Sequence, residues 1–271
     1  MTDRLKGKTV IVVGAGQQPG ETIGNGRAIA LRFAREGAEI LCVDRDLIRA
    51  EETASMVVAQ GGKAAAFRGD VTKAEDCAAI VEAGKERWPR IDILINNVGV
   101  GGRDGPAHVL EESIWDRTMN VNLKGMWMML KHALPAMRAT GGGAIVNISS
   151  LASMSGATQL AYEVSKAGVN RMTQHVAAGN TRYNIRCNAI LMGFMDTPMA
   201  MGGPRPGETD EQKKARDERR NQRDQRVPLG GKMGTGWDTA NAALFLASDE
   251  AKFITGVLLT VDGGMSVRGG G

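Results

Sequence analysis

Cysteine is scarce. Cys42, Cys77 and Cys187 are the only three in 271 residues, an odd number without metal-ligand spacing. That set offers neither a disulfide framework nor a zinc site, and it suits three small apolar side chains in a core. No stretch approaches the ~20 apolar residues of a membrane-spanning helix. The opening Met1-Thr2-Asp3-Arg4-Leu5-Lys6-Gly7-Lys8 lacks the apolar run of a secretory leader, so a cytoplasmic location is expected. A basic stripe is missing too: the net charge is +4 and the pI about 9.0, but Lys and Arg are interleaved with Asp and Glu. Neither a nucleic-acid partner nor a membrane is expected.

What remains is an ordinary globular composition, 42% hydrophobic and 24% charged, enough for one α/β domain. Continuous apolar runs at Thr9–Val13, Ile40–Val43, Ala64–Phe67, Ile91–Ile95 and Ala144–Ile148 read as strands buried on both faces. Between them, Arg27–Arg35, Leu47–Ala59, Ala74–Arg87 and Ser113–Met137 carry apolar residues at helical spacing. Two further strands, Ile185–Ile190 and Val257–Val261, and helices at Tyr162–Ala178 and Asp238–Leu246 complete the expectation. The fold class is α/β, a single doubly wound domain over 1–271 with a mostly parallel seven-stranded sheet and helices on both faces. One compositional break, residues 202–226, opens Gly-Pro-rich and continues as mixed charge; it reads as a solvated helix or as part of a lid over residues 193–230.

After the first strand come Gly14, Gly16, Gly20, Gly24 and Gly26, then a helix. Glycine allows close approach to a pyrophosphate, and the helix N-terminus offers unpaired N–H groups to the anion. The second strand ends at Asp44, where a carboxylate accepts hydrogen bonds from ribose hydroxyls and repels a 2′-phosphate, which points to NAD as cofactor. Arg45, the next residue, works against that repulsion. Further on, Tyr162-Glu163-Val164-Ser165-Lys166 places a phenol and an ammonium four residues apart on one helix face. A nearby cation lowers the tyrosine pKa from ~10 and makes the phenol usable in proton transfer. Just upstream, Asn147-Ile148-Ser149-Ser150 brings hydroxyls to the ligand-binding edge of such a sheet.

These pieces, with Asp70-Val71, Asn96-Asn97-Val98-Gly99, Asn122-Leu123-Lys124-Gly125, Ile185-Arg186-Cys187-Asn188 and Val261-Asp262-Gly263-Gly264, resemble the short-chain dehydrogenase/reductase family in order and over nearly the whole length. The resemblance implies an NAD-dependent oxidoreductase interconverting a secondary alcohol and a ketone, commonly a homotetramer. In that reading Tyr162 is the general acid/base and Lys166 lowers its pKa while binding the nicotinamide ribose. Ser150 holds the substrate oxygen, and Asn122 holds a water of a proton relay. Asp70 and Val71 border the adenine, Asn96 the adenosine side and Thr197 the nicotinamide amide; Gly14, Gly24, Gly26 and Gly99 shape the coenzyme site. The alternative is a dinucleotide-binding regulatory module without catalysis.

Several positions depart from the family pattern. The glycine loop is longer by about six residues around Gln17–Thr22, Val98 replaces the usual alanine, and Met192 stands where proline is common. Counting back from Tyr162 points to Ser149 as the catalytic serine and counting along the strand to Ser150; the rigid strand favours Ser150. Substrate contacts are expected from Arg103, Asp104 and His108 after Gly99, and from Met195, Met199 and Met201, an apolar adaptable wall. Arg103 or Arg205 would serve an anionic substrate group. Met126, Trp127, Leu130, Val169 and Met172 are candidates for a subunit interface.

Overall fold

A computed structural model describes residues 3–156, 158–203 and 208–267. Arg205, with residues 204–207 of the expected lid, lies outside the described residues. In chain order the elements are β1 (Thr9–Val13), α1 (Asn25–Arg35), β2 (Glu39–Asp44), α2 (Leu47–Ala59), β3 (Lys63–Arg68), α3 (Ala74–Arg87), β4 (Ile93–Asn96), α4 (Glu112–Met119), α5 (Gly125–Ala139), β5 (Gly143–Ser150), α6 (Leu160–Asn180) and β6 (Ile185–Met192). The segment expected to form a lid contributes β7 (Met195–Asp196), α7 (Pro198–Met201) and α8 (Asp210–Gln225), followed by β8 (Gly234–Thr235), α9 (Gly236–Ala247) and β9 (Leu258–Val261).

The main sheet has seven strands in the order β3-β2-β1-β4-β5-β6-β9, all parallel. Successive strand residues alternate between two cores, which is why the strands are apolar without interruption. Val10, Val12, Ile40, Cys42, Ile93 and Ile95 join one core with Ile29 and Phe33 of α1, Ala54 of α2 and Leu244 of α9. Ile11, Val13, Leu41, Val43 and Leu94 join the other with Ile80 of α3, Met129 and Ala133 of α5 and Val176 of α6. Each enclosed Ile, Leu or Val contributes about 1.5–3 kcal/mol by leaving water. The cysteines behave as core: burial pushes the thiols of Cys42 and Cys187 up to about 12 and that of Cys77 to about 11.

The structure departs from the expected elements in three places. The helix read as Ser113–Met137 is interrupted by a π-helical turn at Asn120–Lys124 between α4 and α5, the kind of one-residue bulge that re-aims side chains at functional sites. A second, two-stranded sheet pairs β7 with β8 and ties the segment after β6 to the start of α9. Of the five residues expected to offer a subunit face, only Trp127 is exposed, at 48%. Met126, Leu130 and Val169 are buried and Met172 half-buried, because the apolar stripes of α5 and α6 are taken up by the chain's own core.

Candidate active site

Strand order reverses between β2 and β4 on either side of β1, so the loops after β1 and β4 diverge and leave a crevice at the C-terminal edge of the sheet. The crevice is a cleft of about 310 Å³, lined from Asp44 and Arg45 at one end to Ser150, Tyr162 and Lys166 at the other. Its floor is glycine for steric reasons. Gly14 has φ +79°, and a Cβ there would lie 3.2 Å from the backbone of Asn97, while a Cβ at Gly26 would strike the Gly14 carbonyl oxygen at 1.9 Å. Gly24 lines the cleft, and its N–H donates to Gln17 Oε1 at 2.7 Å. Gln17 Nε2 in turn donates to the Thr22 carbonyl at 3.1 Å, so the extra residues of the loop fold onto themselves.

At the β2 end, Asp44 accepts from the N–H groups of Gly16 and Asp46, both at 3.1 Å. These bonds fix its carboxylate while leaving lone pairs for ribose hydroxyls. Arg45 and Arg49 line the same end, Arg49 paired with Asp46 at 3.1 Å. Asp70 and Val71 form a neighbouring wall. Burial works to raise the Asp70 carboxyl, yet the N–H and hydroxyl of Thr72, with the charges of Arg45 and Lys73, carry it below its ordinary value. A glycine floor, a carboxylate at the end of β2 and a buried lysine along one cleft form a donor set that fits a nicotinamide dinucleotide.

At the other end three elements converge. β5 delivers Ser150 to the cleft, α6 delivers Tyr162 and Lys166, and the segment after β6 delivers Thr197. Ser149 points the other way, fully buried, its hydroxyl donating to the Lys166 carbonyl at 3.3 Å. Strand alternation thus places Ser150, not Ser149, beside the phenol. Lys166 Nζ donates to the Ile148 carbonyl at 2.9 Å and lies 5.8 Å from the centre of the Tyr162 ring. Burial pulls the lysine down to about 8. The tyrosine is raised rather than lowered: burial of the phenol outweighs the opposing hydrogen bond from Ser150. The sequence expectation took proximity of the cation as decisive, whereas here the ammonium is turned to a carbonyl and the phenol's own desolvation dominates.

One expected contact lies elsewhere. Asn96 is 1% exposed, and its amide donates to Asn147 Oδ1 at 2.9 Å in the adjoining strand rather than facing the cleft. Its neighbour Asn97 lines the cleft and donates to the Gly14 carbonyl at 2.8 Å. Asn122 is fully buried behind the cleft, with Oδ1 accepting from the Val100 N–H at 2.7 Å and Nδ2 donating to the Val100 carbonyl and Ser165 hydroxyl at 2.9 and 3.2 Å. One acceptor lone pair is left for a water. Gly99 keeps the gap open, since a Cβ there would lie 3.4 Å from Lys166 Nζ and 3.8 Å from Asn122 Oδ1.

On the substrate side Val100, Met192, Met195, Met199 and Ala200 line the cleft. Met201 does not; it packs with Val227 and Met233. Arg103 and His108 are exposed and Asp104 half-buried, all three away from the cleft. Sequence reasoning missed Arg49, which the first turn of α2 carries back to the cleft beside Arg45.

A family model described as enoyl-(acyl carrier protein) reductase matches residues 21–266. The chain is 35% identical to 2-(S)-hydroxypropyl-CoM dehydrogenase 3 of Xanthobacter autotrophicus over 98% of this chain and 99% of that one. It is 36% identical to the 3-oxoacyl-(acyl-carrier-protein) reductase FabG of Thermotoga maritima, over 97% of this chain and 100% of the relative. Among solved structures, levodione reductase superposes with a TM-score of 0.87 at 30% identity, covering 98% and 100% of the two chains. A Burkholderia xenovorans structure described as a short-chain dehydrogenase/reductase does so with a TM-score of 0.88 at 42% identity, covering 98% and 99%. On fold, site and relatives alike, the chain belongs to the short-chain dehydrogenase/reductase family and is an oxidoreductase.

Proposed function

We propose that this protein is an NAD-dependent dehydrogenase/reductase interconverting a secondary alcohol and a ketone on a small-molecule substrate, working in the cytoplasm as a homotetramer. The observation that carries the chemistry is the convergence of Ser150, Tyr162 and Lys166 at one end of the cleft. In the reducing direction Ser150 holds the carbonyl oxygen, and Tyr162 donates its phenolic proton to that oxygen as it gains charge. Lys166 stabilises the resulting phenolate and, through the gap at Gly99, passes a proton back to it with Asn122 beside the path. The coenzyme, when bound, supplies the hydride. In the oxidising direction the same tyrosine takes the alcohol proton. Relatives named as a hydroxypropyl-CoM dehydrogenase and an oxoacyl reductase support carbonyl–hydroxyl chemistry, and the methionines support a substrate with an apolar, adaptable body.

NAD is the coenzyme that Asp44 favours. A charge pair ~5 Å apart at an effective dielectric of 20 repels by about 3 kcal/mol, and salt and Arg45 reduce this to about 2–3 kcal/mol, roughly 30- to 150-fold in kcat/KM. The test is a panel of alcohols and ketones followed by absorbance of reduced nicotinamide with each coenzyme. The expected result is turnover favouring NAD by that factor, narrowed in Asp44→Ser chiefly through better use of NADP. Equal or better kcat/KM with NADP in the unmodified chain would assign the choice to Arg45 and Arg49 instead.

A further inference from the structure

The first amide groups of a helix have no partner within it. In α6, the helix that carries Tyr162, they are met by a single distant loop. Asp104 Oδ2 accepts from the Tyr162 N–H at 2.8 Å, and Oδ1 accepts from the N–H groups of Ala161 at 3.3 Å and Gly105 at 2.8 Å. The Gly105 carbonyl accepts from the Leu160 N–H at 3.3 Å. Between the ends of this loop Gly101 lies against the Tyr162 ring, where an added Cβ would sit 3.8 Å from Cδ2.

The loop's beginning is tied to the same turn of helix. Asn122 grips both the N–H and the carbonyl of Val100 and donates to the Ser165 hydroxyl. Ser165 passes the link on by donating to the Tyr162 carbonyl at 2.7 Å. Residues 100–105 are therefore clamped at both ends to the backbone of Tyr162, before and after its side chain. Arg103 holds φ +59° within the loop, a left-handed conformation that a non-glycine residue keeps only where its surroundings require it.

We propose that Asp104 is a positioning residue for the proton transfer: its carboxylate, acting as a distant cap on α6, fixes Tyr162 against the loop that borders the substrate. The inference rests on the acid/base role given to Tyr162. Release of the cap frees the first turn of α6 to shift, and a displacement near 1 Å at a reacting group costs up to about 10²-fold in rate. Both oxygens of Asp104 accept from amide N–H groups, whereas asparagine keeps one acceptor and sets its Nδ2 donor against an N–H, so it makes good only part of what alanine loses.

The experiment compares unmodified chain, Asp104→Ala and Asp104→Asn in kcat for a ketone turned over by the unmodified chain, in NADH affinity by fluorescence titration, and in melting temperature. Expected in Asp104→Ala, well below its melting temperature, is a kcat loss of about tenfold or more with NADH affinity within about twofold of the unmodified chain. Asp104→Asn, with one acceptor where two are needed, is expected to fall between the unmodified chain and Asp104→Ala in kcat, again with NADH affinity within about twofold. If Asp104→Ala does not fold, Asp104→Glu is decisive, since it keeps the charge but moves the oxygens by one methylene: slower turnover with intact NADH binding supports the role, and equal turnover overturns it. An Asp104→Ala or Asp104→Asn chain as fast as the unmodified one also overturns it. Failure of the unmodified chain on every carbonyl compound tried would instead defeat the functional reading beneath it.

Discussion

An ammonium group enclosed in the fold and bonded to one carbonyl weakens the structure it serves. Lys166 is 3% exposed, and burial lowers it from 10.5 to about 8. Below about pH 8 the lysine is charged in folded and unfolded chain alike, and the buried charge is carried at a loss of about 2–4 kcal/mol. Between about pH 8 and 10.5 the folded chain gives up the proton first. The unfolded chain binds more protons there, so folding stability rises with pH through that window. Lys166→Met is thus expected to abolish turnover yet unfold at higher urea at pH 7, with its advantage shrinking toward about pH 10. A variant less stable than the unmodified chain at pH 7 would show that the bond to Ile148 outweighs desolvation. The sequence disclosed this pair because Tyr162 and Lys166 stand four apart. It did not disclose the direction of the tyrosine's shift, which depends on how deeply the phenol is covered. Nor did it show that Asn96 faces inward, since two adjacent asparagines look alike until strand alternation separates them.

Helix α8 shows the same difference at the scale of an element. Its mixed charge read as a solvated helix, and most of it is, but Arg216 and Asp224 are buried. The helix is docked by polar groups: Arg220 pairs with Asp196, Arg223 donates to the Ala200 carbonyl at 3.0 Å and Arg219 to that of Met201 at 3.1 Å. Arg216 holds Glu208 through two bonds of 2.9 and 3.1 Å and lies 3.9 Å from Glu21 in the enlarged glycine loop. That loop also abuts α7, since a Cβ on Gly20 would lie 2.8 Å from the Pro198 ring. The extra residues of the glycine loop and the segment 193–230 therefore meet beside the cleft. Arg216→Ala leaves the largely buried Glu208 unpaired and is expected to destabilise the chain by about 1–3 kcal/mol, less than for a fully buried pair because Glu208 keeps 14% of its side-chain surface exposed. NADH affinity should fall severalfold in the same variant, because Thr197 to Ala200 line the cleft. Unchanged melting and unchanged NADH titration would make this contact incidental. Nothing local in the sequence could reveal it, since Glu21, Pro198 and Arg216 meet only after folding.

For the whole molecule, the parallel sheet was legible because strands buried on both faces leave continuous apolar runs, and the cleft because its glycines and Asp44 follow the strands that bound it. Assembly was less legible, as helical periodicity cannot say which apolar residues serve the chain's own core. The surface still carries Trp127, Val164, Met154 and a fully exposed Phe253, and β9 is an edge strand. Light scattering at micromolar concentration is expected to give four times the chain mass of 28.8 kDa; a monomer mass would contradict the tetramer. The central claim, that this cleft moves a hydride while Tyr162 moves the proton, is tested most directly by one comparison. Turnover and NADH affinity are measured for the unmodified chain and Tyr162→Phe on the best compound from the carbonyl panel. The account predicts that kcat falls by about 10²–10⁴ while the phenylalanine variant still binds NADH. Turnover by Tyr162→Phe close to that of the unmodified chain would contradict it.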